Sequence, residues 1–421
     1  MFMSKFQELL NYFESNATTM RQKGSIFERF VKKFLQIEPT YANQFEKVWL
    51  WSEFPYRNGL NDTGIDIVVK CRNREEYCAI QCKFYSVETS ISKADVDTFL
   101  SASSMMFNTE TSTCYFSQRM IVSTTDKWSS NAEATIANQM IPVGRIRLQD
   151  FEAMAIDWEQ FDINNLDEMK RSAIKHILPH QKKALDAVVK GFENSDRGKL
   201  IMACGTGKTF TSLKIVEDIT KGKGNVIFFV PSISLLNQTL VEWSEQSSYS
   251  FNMLAICSDS NASKKNSDEI LDTIIPATTD SKKLIEHYNS FNRDQITFFF
   301  STYQSIDVVS KFQKESGIVF DVCICDEAHR TTGVTLSDED ESSFTKVHNN
   351  DNINAKKRLY MTATPRVYGD ESKNKADEAN ALLCSMDDET IYGPELHRLG
   401  FGEAVQLGLL SDYKVIVLTV S

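Results

Sequence analysis

Two stretches carry residues whose types and order could do phosphate chemistry, and a third poses a question. The first is MACGTGKT at 202–209, between the short run GKLI and the helical FTSLKIVEDI. In such a glycine-rich turn, here Gly205, Thr206 and Gly207, backbone N–H groups can wrap a β-phosphate. Lys208 can reach the β/γ oxygens, and the Thr209 hydroxyl can coordinate Mg²⁺. The strict pattern opens with glycine, and Met202 holds that place. The second stretch is FDVCICDEAHRTTG at 320–333. An apolar strand ending in Asp326 and Glu327 supplies one carboxylate to position Mg²⁺ and another to orient the attacking water of ATP hydrolysis. In the third, GIDIVVKCRNREEYCAIQCKFY at 64–85, Asp66 opens one β-like run and the next ends in Gln81 and Lys83. Alternation along a strand puts Gln81 and Lys83 on one face and Cys82 on the other. A charged Lys83 in a run that otherwise reads as buried needs a reason.

The elements that must position these residues fall into two patterned halves. In the first, GSIFERFVKKFLQ sets Phe27, Phe30, Val31 and Phe34 at helical spacing. The β-like runs KVWLWSEF, IDIVVK and EYCAIQCKFY follow, then helical SKADVDTFLSASSMM, the apolar run CYFSQRMIVST and helical KWSSNAEATIANQM. This order predicts a mixed α/β core. In the second half NVIFFVP, ITFFFST, VFDVCICD and RLYMTAT alternate with helical stretches, which predicts a mainly parallel, doubly wound sheet. Acidic and amide residues interrupt the periodicity between the halves, so the expected division is a domain over 1–155, a linker over 156–172 and a second domain over 173–421.

Bulk properties narrow the class. A chain of 421 residues is too long for one ordinary core. Its 42% hydrophobic and 24% charged residues fit a globular protein, and no apolar run approaches the roughly 18 residues of a membrane span. The opening MFMSKFQELLNYF lacks the uninterrupted apolar core of a secretory signal. Nine cysteines without a CxxC pair and six histidines without ligand spacing fit a reducing cytoplasm and no structural zinc. The net charge of −11 lies wholly beyond residue 150, where 29 basic residues face 40 acidic ones; residues 1–150 hold 17 of each. Bulk charge therefore argues mildly against a nucleic-acid partner, and the motifs must decide.

The phosphate loop, DEAH at 326–329, TYQS at 302–305 and TAT at 362–364 together resemble the first RecA-like domain of superfamily 2 helicases and translocases. By that resemblance Gln181 in LPHQ reads the adenine edge, VPSISLLNQ and STYQS touch the nucleic-acid backbone, and Thr362 and Thr364 couple nucleotide state to that grip. Such motors bind ATP between two RecA-like domains, the second supplying arginines, so the chain is expected to be the N-terminal part of a longer protein. An aspartate on one strand followed by Gln-x-Lys on the next resembles the PD-(D/E)xK restriction-endonuclease core in its Mrr-like form. That resemblance makes Asp66 a metal ligand, gives Gln81 an oxygen for the metal or the attacking water, and has Lys83 stabilise charge on the phosphate or help deprotonate the water. It adds two carboxylates, Glu28 in FERFVKK from the first helix and Asp62 in NDTGID, although Glu28 could instead pair with Lys32 and Asp62 could serve a turn.

The order of the two domains, with DEAHRTTG, MTATPR and SMDDETIYGPELHRLGFGEAVQLGLLSDY, resembles the N-terminal portion of Type ISP restriction-modification enzymes. This implies ATP-driven movement on double-stranded DNA with metal-dependent cleavage by the first domain. It also implies that the rest of the polypeptide holds the second RecA-like domain, an S-adenosylmethionine-dependent methyltransferase and a target-recognition domain. Two alternatives stand beside it. One is an RNA-directed DEAH-type helicase with an N-terminal interaction module, and the other is a non-cleaving, nucleotide-switched DNA-binding module.

Overall fold

A computed structural model describes residues 5–17, 19–57, 59, 64–137, 139–141, 143–153, 156–157, 168–257, 275, 277–335, 342–378 and 381–412. Contacts group the chain into two compact units, 1–174 with 232–295, and 175–231 with 296–421.

The first unit begins with helices α1 (Lys5–Asn16), α2 (Met20–Ile37) and α3 (Pro39–Ala42). The chain continues through β1 (Phe45–Leu50), β2 (Ile67–Cys71), β3 (Tyr77–Lys83), α4 (Lys93–Ala102), β4 (Met106–Asn108), β5 (Thr113–Ser123), α5 (Ser130–Ala137), β6 (Val143–Ile146) and α6 (Leu148–Ala153). The strands form one sheet in the order β1-β2-β3-β5-β4, with β6 also on β5. β1, β2 and β3 are antiparallel neighbours, whereas β3 and β5 run parallel across the helical connection. The helical spacing of α2 is realised: Phe27, Phe30, Val31, Phe34 and Leu35 are buried. Phe27 and Phe30 lie in ring contact with Phe151 of α6, and Phe27 also meets Phe84, the residue after β3. This apolar seam holds α2 against the end of β3 that carries Gln81 and Lys83.

The second half of the chain opens with α7 (Pro179–Gly191), β7 (Arg197–Met202), α8 (Lys208–Thr220) and β8 (Gly224–Val230). Within the first unit by contact then come α9 (Ile233–Gln246), β9 (Phe251–Ile256) and α10 (Ser281–Ser290). The second unit resumes with β10 (Ile296–Thr302), α11 (Ile306–Ser316), β11 (Phe320–Cys325), β12 (Gly333–Thr335) and β13 (Ala355–Thr362). It ends with α12 (Asp370–Glu378), β14 (Leu382–Cys384), α13 (Glu389–Tyr392), β15 (Glu395–Leu399) and α14 (Phe401–Gln406). Its sheet runs β15-β7-β13-β11-β8-β10, all parallel. Helices cover both faces of such a sheet, and accordingly every residue of β10 is buried, as are the last five of β8 and the last four of β11. Parallel strands end together at their carboxyl edge, which brings the residues after β7, β11 and β13 to one rim.

One glycine is indispensable to this sheet. Gly393, just before β15, has φ +71°, and a Cβ there would lie 2.3 Å from the Arg197 carbonyl oxygen. The neighbour is backbone and cannot swing aside. Gly393→Ala is expected to destabilise the unit by about 2–4 kcal/mol through left-handed strain and the clash, a loss that a urea melt of the purified chain would measure.

Candidate active sites

The first site is built where β2 begins and β3 ends. The N–H of Asp66 donates to the Ile80 carbonyl at 3.0 Å, and its own carbonyl accepts from Trp51 at 2.7 Å. The main chain is thus fixed on both sides, and the carboxylate Oδ2 accepts from the Cys82 N–H at 2.6 Å. Gln81 is 3% exposed; its Nε2 donates to the Gly64 carbonyl at 3.0 Å, leaving Oε1 buried without a hydrogen-bond partner among the described residues. Gly64 allows this approach: its φ is +96°, and a Cβ would sit 3.2 Å from Thr98 Cγ2. A buried carbonyl oxygen without a donor suits a cation or a held water. Lys83, on the same strand face, places Nζ 3.2 Å from Asp95 Oδ1.

Glu28 approaches from α2. Burial, then the charges of Asp66 and Glu28, push the Cys82 thiol well above its ordinary range, so both carboxylates bear on that residue. Asp62 lies outside the described residues. Among the described residues no three His, Cys, Asp or Glu side chains converge as a metal cluster. A small hard cation that keeps most of its water needs only one or two protein carboxylates, and Asp66 with the Gln81 oxygen fits that demand.

The second site occupies the carboxyl rim of the parallel sheet. After β7 the loop turns through Gly205 and Gly207, with φ +81° and +82°, and α8 starts at Lys208. Met202 is still part of β7, paired with Leu399, and positive φ occurs only at the two glycines, so this loop does not require glycine at its first position. Thr206 ties the turn back on itself, its Oγ1 donating to the Ala203 carbonyl at 2.7 Å. Gln181 is buried with both ends of its amide engaged: Oε1 accepts from Leu178 N–H at 3.0 Å, and Nε2 donates to the Thr206 carbonyl at 3.3 Å. His180 Nε2 lies 3.0 Å from the same carbonyl. In this structure Gln181 and His180 hold the loop from below.

Across the rim, Asp326 follows β11. Its N–H donates to Phe229 at 3.0 Å, and its carbonyl accepts from the Tyr303 hydroxyl at 2.8 Å. Oδ1 is buried without a hydrogen-bond partner among the described residues. Burial and the adjacent Glu327 charge raise the carboxyl to about 6, against the pull of Lys208. A carboxylate so poorly satisfied, facing the lysine of a phosphate loop, is a fitting seat for a cation. Glu327 adopts φ +47°, a left-handed backbone costly for a side chain of its size. Its Oε2 lies 3.3 Å from His329 Nδ1, which is 3.0 Å from Thr362 Oγ1, and that oxygen accepts from Thr364 N–H at 3.1 Å. The carboxylate is therefore joined, through one ring, to the TAT segment after β13.

The strand ends rest on a polar cluster that the motifs do not announce. His348 Nε2–H donates to the Thr331 carbonyl at 2.9 Å, and Nδ1 accepts from the Tyr360 hydroxyl at 2.9 Å, which fixes the neutral tautomer. Burial, with the Arg358 charge, pushes its pKa down to about 4. Since the unfolded value is about 6.5, the neutral ring's contribution is complete above pH 6.5 and is lost as pH falls towards 4. Urea melts over that window are expected to show about 2–3 kcal/mol less stability at the acid end from this residue, the lower figure allowing for the part of the ring still in water. A His348→Gln chain should lack that slope.

Asp95 and Tyr85 are neighbours of the first site that lie outside the motifs, whereas His180 and His329 stand inside LPHQ and DEAH without a role read from the sequence. Ser92-x-x-Asp95 is a legible helix-start signal, and the capping box does form, with Ser92 N–H donating to Asp95 Oδ2 at 3.0 Å. Nothing local in the sequence pairs the other carboxylate oxygen with Lys83.

Comparison with known proteins finds relatives for both regions of the chain. The restriction endonuclease family matches residues 36–168, and the Type III restriction enzyme, res subunit, family matches residues 174–367. The ATP-dependent Type ISP restriction-modification enzyme LlaBIII bound to DNA superposes with TM-score 0.80 at 37% identity, covering 98% of this chain and 26% of that one. A nuclease-deletion mutant of the Type ISP enzyme LlaGI, in complex with a DNA substrate mimic, is 38% identical over 56% of this chain and 21% of its own, with TM-score 0.44. A probable helicase of African swine fever virus is 29% identical over 58% of this chain and 24% of its own length. The chain thus spans about a quarter of the length of these relatives. It joins a restriction-endonuclease region to a helicase-family region in a mixed α/β fold, and such regions use a divalent metal and a nucleotide. Among the described residues no helix is long and apolar enough to cross a membrane.

Proposed function

We propose that this chain is the nuclease and first motor portion of a Type ISP restriction-modification enzyme, moving on double-stranded DNA at the expense of ATP and cutting it with Mg²⁺. The observation that carries the reading is the fold of LlaBIII, matched over 98% of the chain, with Asp66, Gln81 and Lys83 gathered at one strand end. Residues 1–155 would form the nuclease and 173–421 the first RecA-like domain, in a cytoplasmic protein. The second RecA-like domain, the S-adenosylmethionine-dependent methyltransferase and the target-recognition domain belong, on this reading, to the same polypeptide.

In the nuclease, Asp66 and Gln81 would hold Mg²⁺, with Glu28 and Asp62 as further carboxylates. Bound there, the ion supplies Lewis-acid stabilisation of the phosphate and acidifies water. Lys83 stabilises negative charge as it grows on the scissile phosphate, and it is already aimed along the Gln81 face of β3. In the motor, the N–H groups of Gly205, Thr206 and Gly207 cradle the phosphates, Lys208 neutralises them, and Thr209 and Asp326 would hold the second Mg²⁺. Glu327 orients the attacking water. Its link through His329 to Thr362 offers a path by which loss of the γ-phosphate is felt by the TAT segment. Gln181, besides supporting the loop, would recognise adenine when ATP seats.

The reading is tested by ATP hydrolysis of the full-length polypeptide with duplex DNA, single-stranded DNA or single-stranded RNA. Stimulation by unmethylated duplex DNA, weakening with added salt as phosphate contacts are screened, is expected. Stimulation by RNA alone would overturn it in favour of an RNA helicase.

A further inference from the structure

Asp95, the third residue of α4, uses its two carboxylate oxygens for different purposes. Oδ2 closes the helix cap, accepting from the Ser92 N–H at 3.0 Å and the Ser92 hydroxyl at 2.7 Å. Oδ1 faces the strand end, 3.2 Å from Lys83 Nζ, and accepts from the Tyr85 hydroxyl at 2.8 Å. Tyr85 is itself clamped, its N–H donating to Thr124 Oγ1 at 2.8 Å and its carbonyl accepting from that hydroxyl at 2.6 Å. One turn further along α4, Thr98 abuts Gly64, the residue whose carbonyl takes the Gln81 amide. One face of α4 therefore supports both members of the Gln-x-Lys pair, Lys83 directly and Gln81 through Gly64.

We propose that Asp95 is the positioning residue for Lys83 in phosphodiester hydrolysis, an inference that rests on the nuclease reading above. A lysine ammonium on a flexible four-carbon stem has no fixed direction of its own. A carboxylate on a capped helix, steadied by a clamped tyrosine, gives it one. Burial alone would raise the Asp95 carboxyl, but the Ser92 and Tyr85 hydrogen bonds and the Lys83 charge outweigh it and bring it down to about 2, so the anchor is ionised throughout the working range. The capping role needs only Oδ2, which makes the two roles separable.

The test is single-turnover cleavage of saturating unmethylated duplex DNA by the full-length polypeptide with Mg²⁺ and ATP. Asp95→Asn keeps the size and an oxygen for the cap but removes the charge facing Lys83. It is expected to slow cleavage about 10–100-fold, as loss of groups that orient active residues commonly does, with DNA affinity and DNA-stimulated ATP hydrolysis unchanged. Asp95→Glu should recover part of the rate. Ser92→Ala, which weakens the same cap, should lower the melting temperature and leave the cleavage rate near wild type. A wild-type rate in Asp95→Asn, or an equal loss in Ser92→Ala, would overturn the proposal. If Lys83→Ala in the same assay cuts as fast as wild type, the nuclease reading itself fails and the positioning role falls with it.

Discussion

Replacing Lys83 by alanine is expected to slow metal-dependent cleavage of duplex DNA about 10²–10³-fold, the loss typical of removing one group that stabilises transition-state charge. The expectation follows from where the side chain is. Lys83 shares a strand face with Gln81, whose Oε1 is buried without a partner among the described residues, and the Asp66 carboxylate is pinned beside them by the Cys82 N–H. A lysine that merely decorated an edge strand would have no such company. Asp66→Ala should lose as much or more, since it removes the carboxylate that the start of β2 brings beside Gln81 and Lys83. Both variants should keep the ATP hydrolysis of the second unit, because the phosphate loop shares no residue with this site. Single-turnover cleavage beside steady-state ATP hydrolysis on the same preparations is the check. Parallel loss of both activities would indicate misfolding instead.

Glu327→Gln should leave nucleotide binding near wild type and lower ATP hydrolysis about 10²–10⁴-fold, the usual contribution of a side chain positioned on the reacting water. On the proposed reading the loop and Lys208 would hold the phosphates, and the substitution touches neither. The amide keeps the shape of Glu327 but lacks the charge that would orient the attacking water. The backbone at this residue is left-handed, φ +47°, and its neighbour His329 connects the carboxylate to Thr362. Because movement on DNA precedes cutting in the proposed mechanism, cleavage by the full-length polypeptide should fall with hydrolysis. Nucleotide titration by fluorescence and a phosphate-release assay separate the two effects.

Much of the architecture was legible because its physical causes are local. The spacing of Phe27, Phe30, Val31 and Phe34 identified a helix with one buried face, and the structure buries all four. The continuous apolar runs of β8, β10 and β11 reported parallel strands covered on both sides. Other elements were hidden for equally physical reasons. β15 reads ELHRL and, among the described residues, has a partner on only one edge, so its burial pattern is weak and its pairing with β7 depends on a tight turn at Gly393. The run KVWLWSEF stops as a strand at Leu50, because Glu53 reaches back to the Leu50 N–H at 3.0 Å and closes a short 3-10 turn.

The sites divide in the same way. Alternation alone placed Gln81 and Lys83 on one face, and the carboxyl edge of a parallel sheet accounts for Lys208 and Asp326 facing each other's loops. The amide of Gln181 shows what spacing does not reveal. Its Oε1 caps the start of α7 locally, while its Nε2 finds Thr206, which is far along the chain. Asp95 is similar: a cap by its sequence, and a partner of Lys83 only once β3 and α4 have packed.

The central claim is that one chain unites a DNA-cutting site dependent on Lys83 with a motor dependent on Lys208. The measurement that reaches it most directly is cleavage of supercoiled and linear unmethylated duplex DNA by the full-length polypeptide, with and without ATP and Mg²⁺, beside Lys83→Ala and Lys208→Ala. The account predicts cutting only when both ATP and Mg²⁺ are present, and cutting by neither variant, with ATP hydrolysis kept in Lys83→Ala and lost in Lys208→Ala. Cutting that survives Lys83→Ala, or DNA left whole by a wild-type polypeptide that hydrolyses ATP on it, would contradict the account.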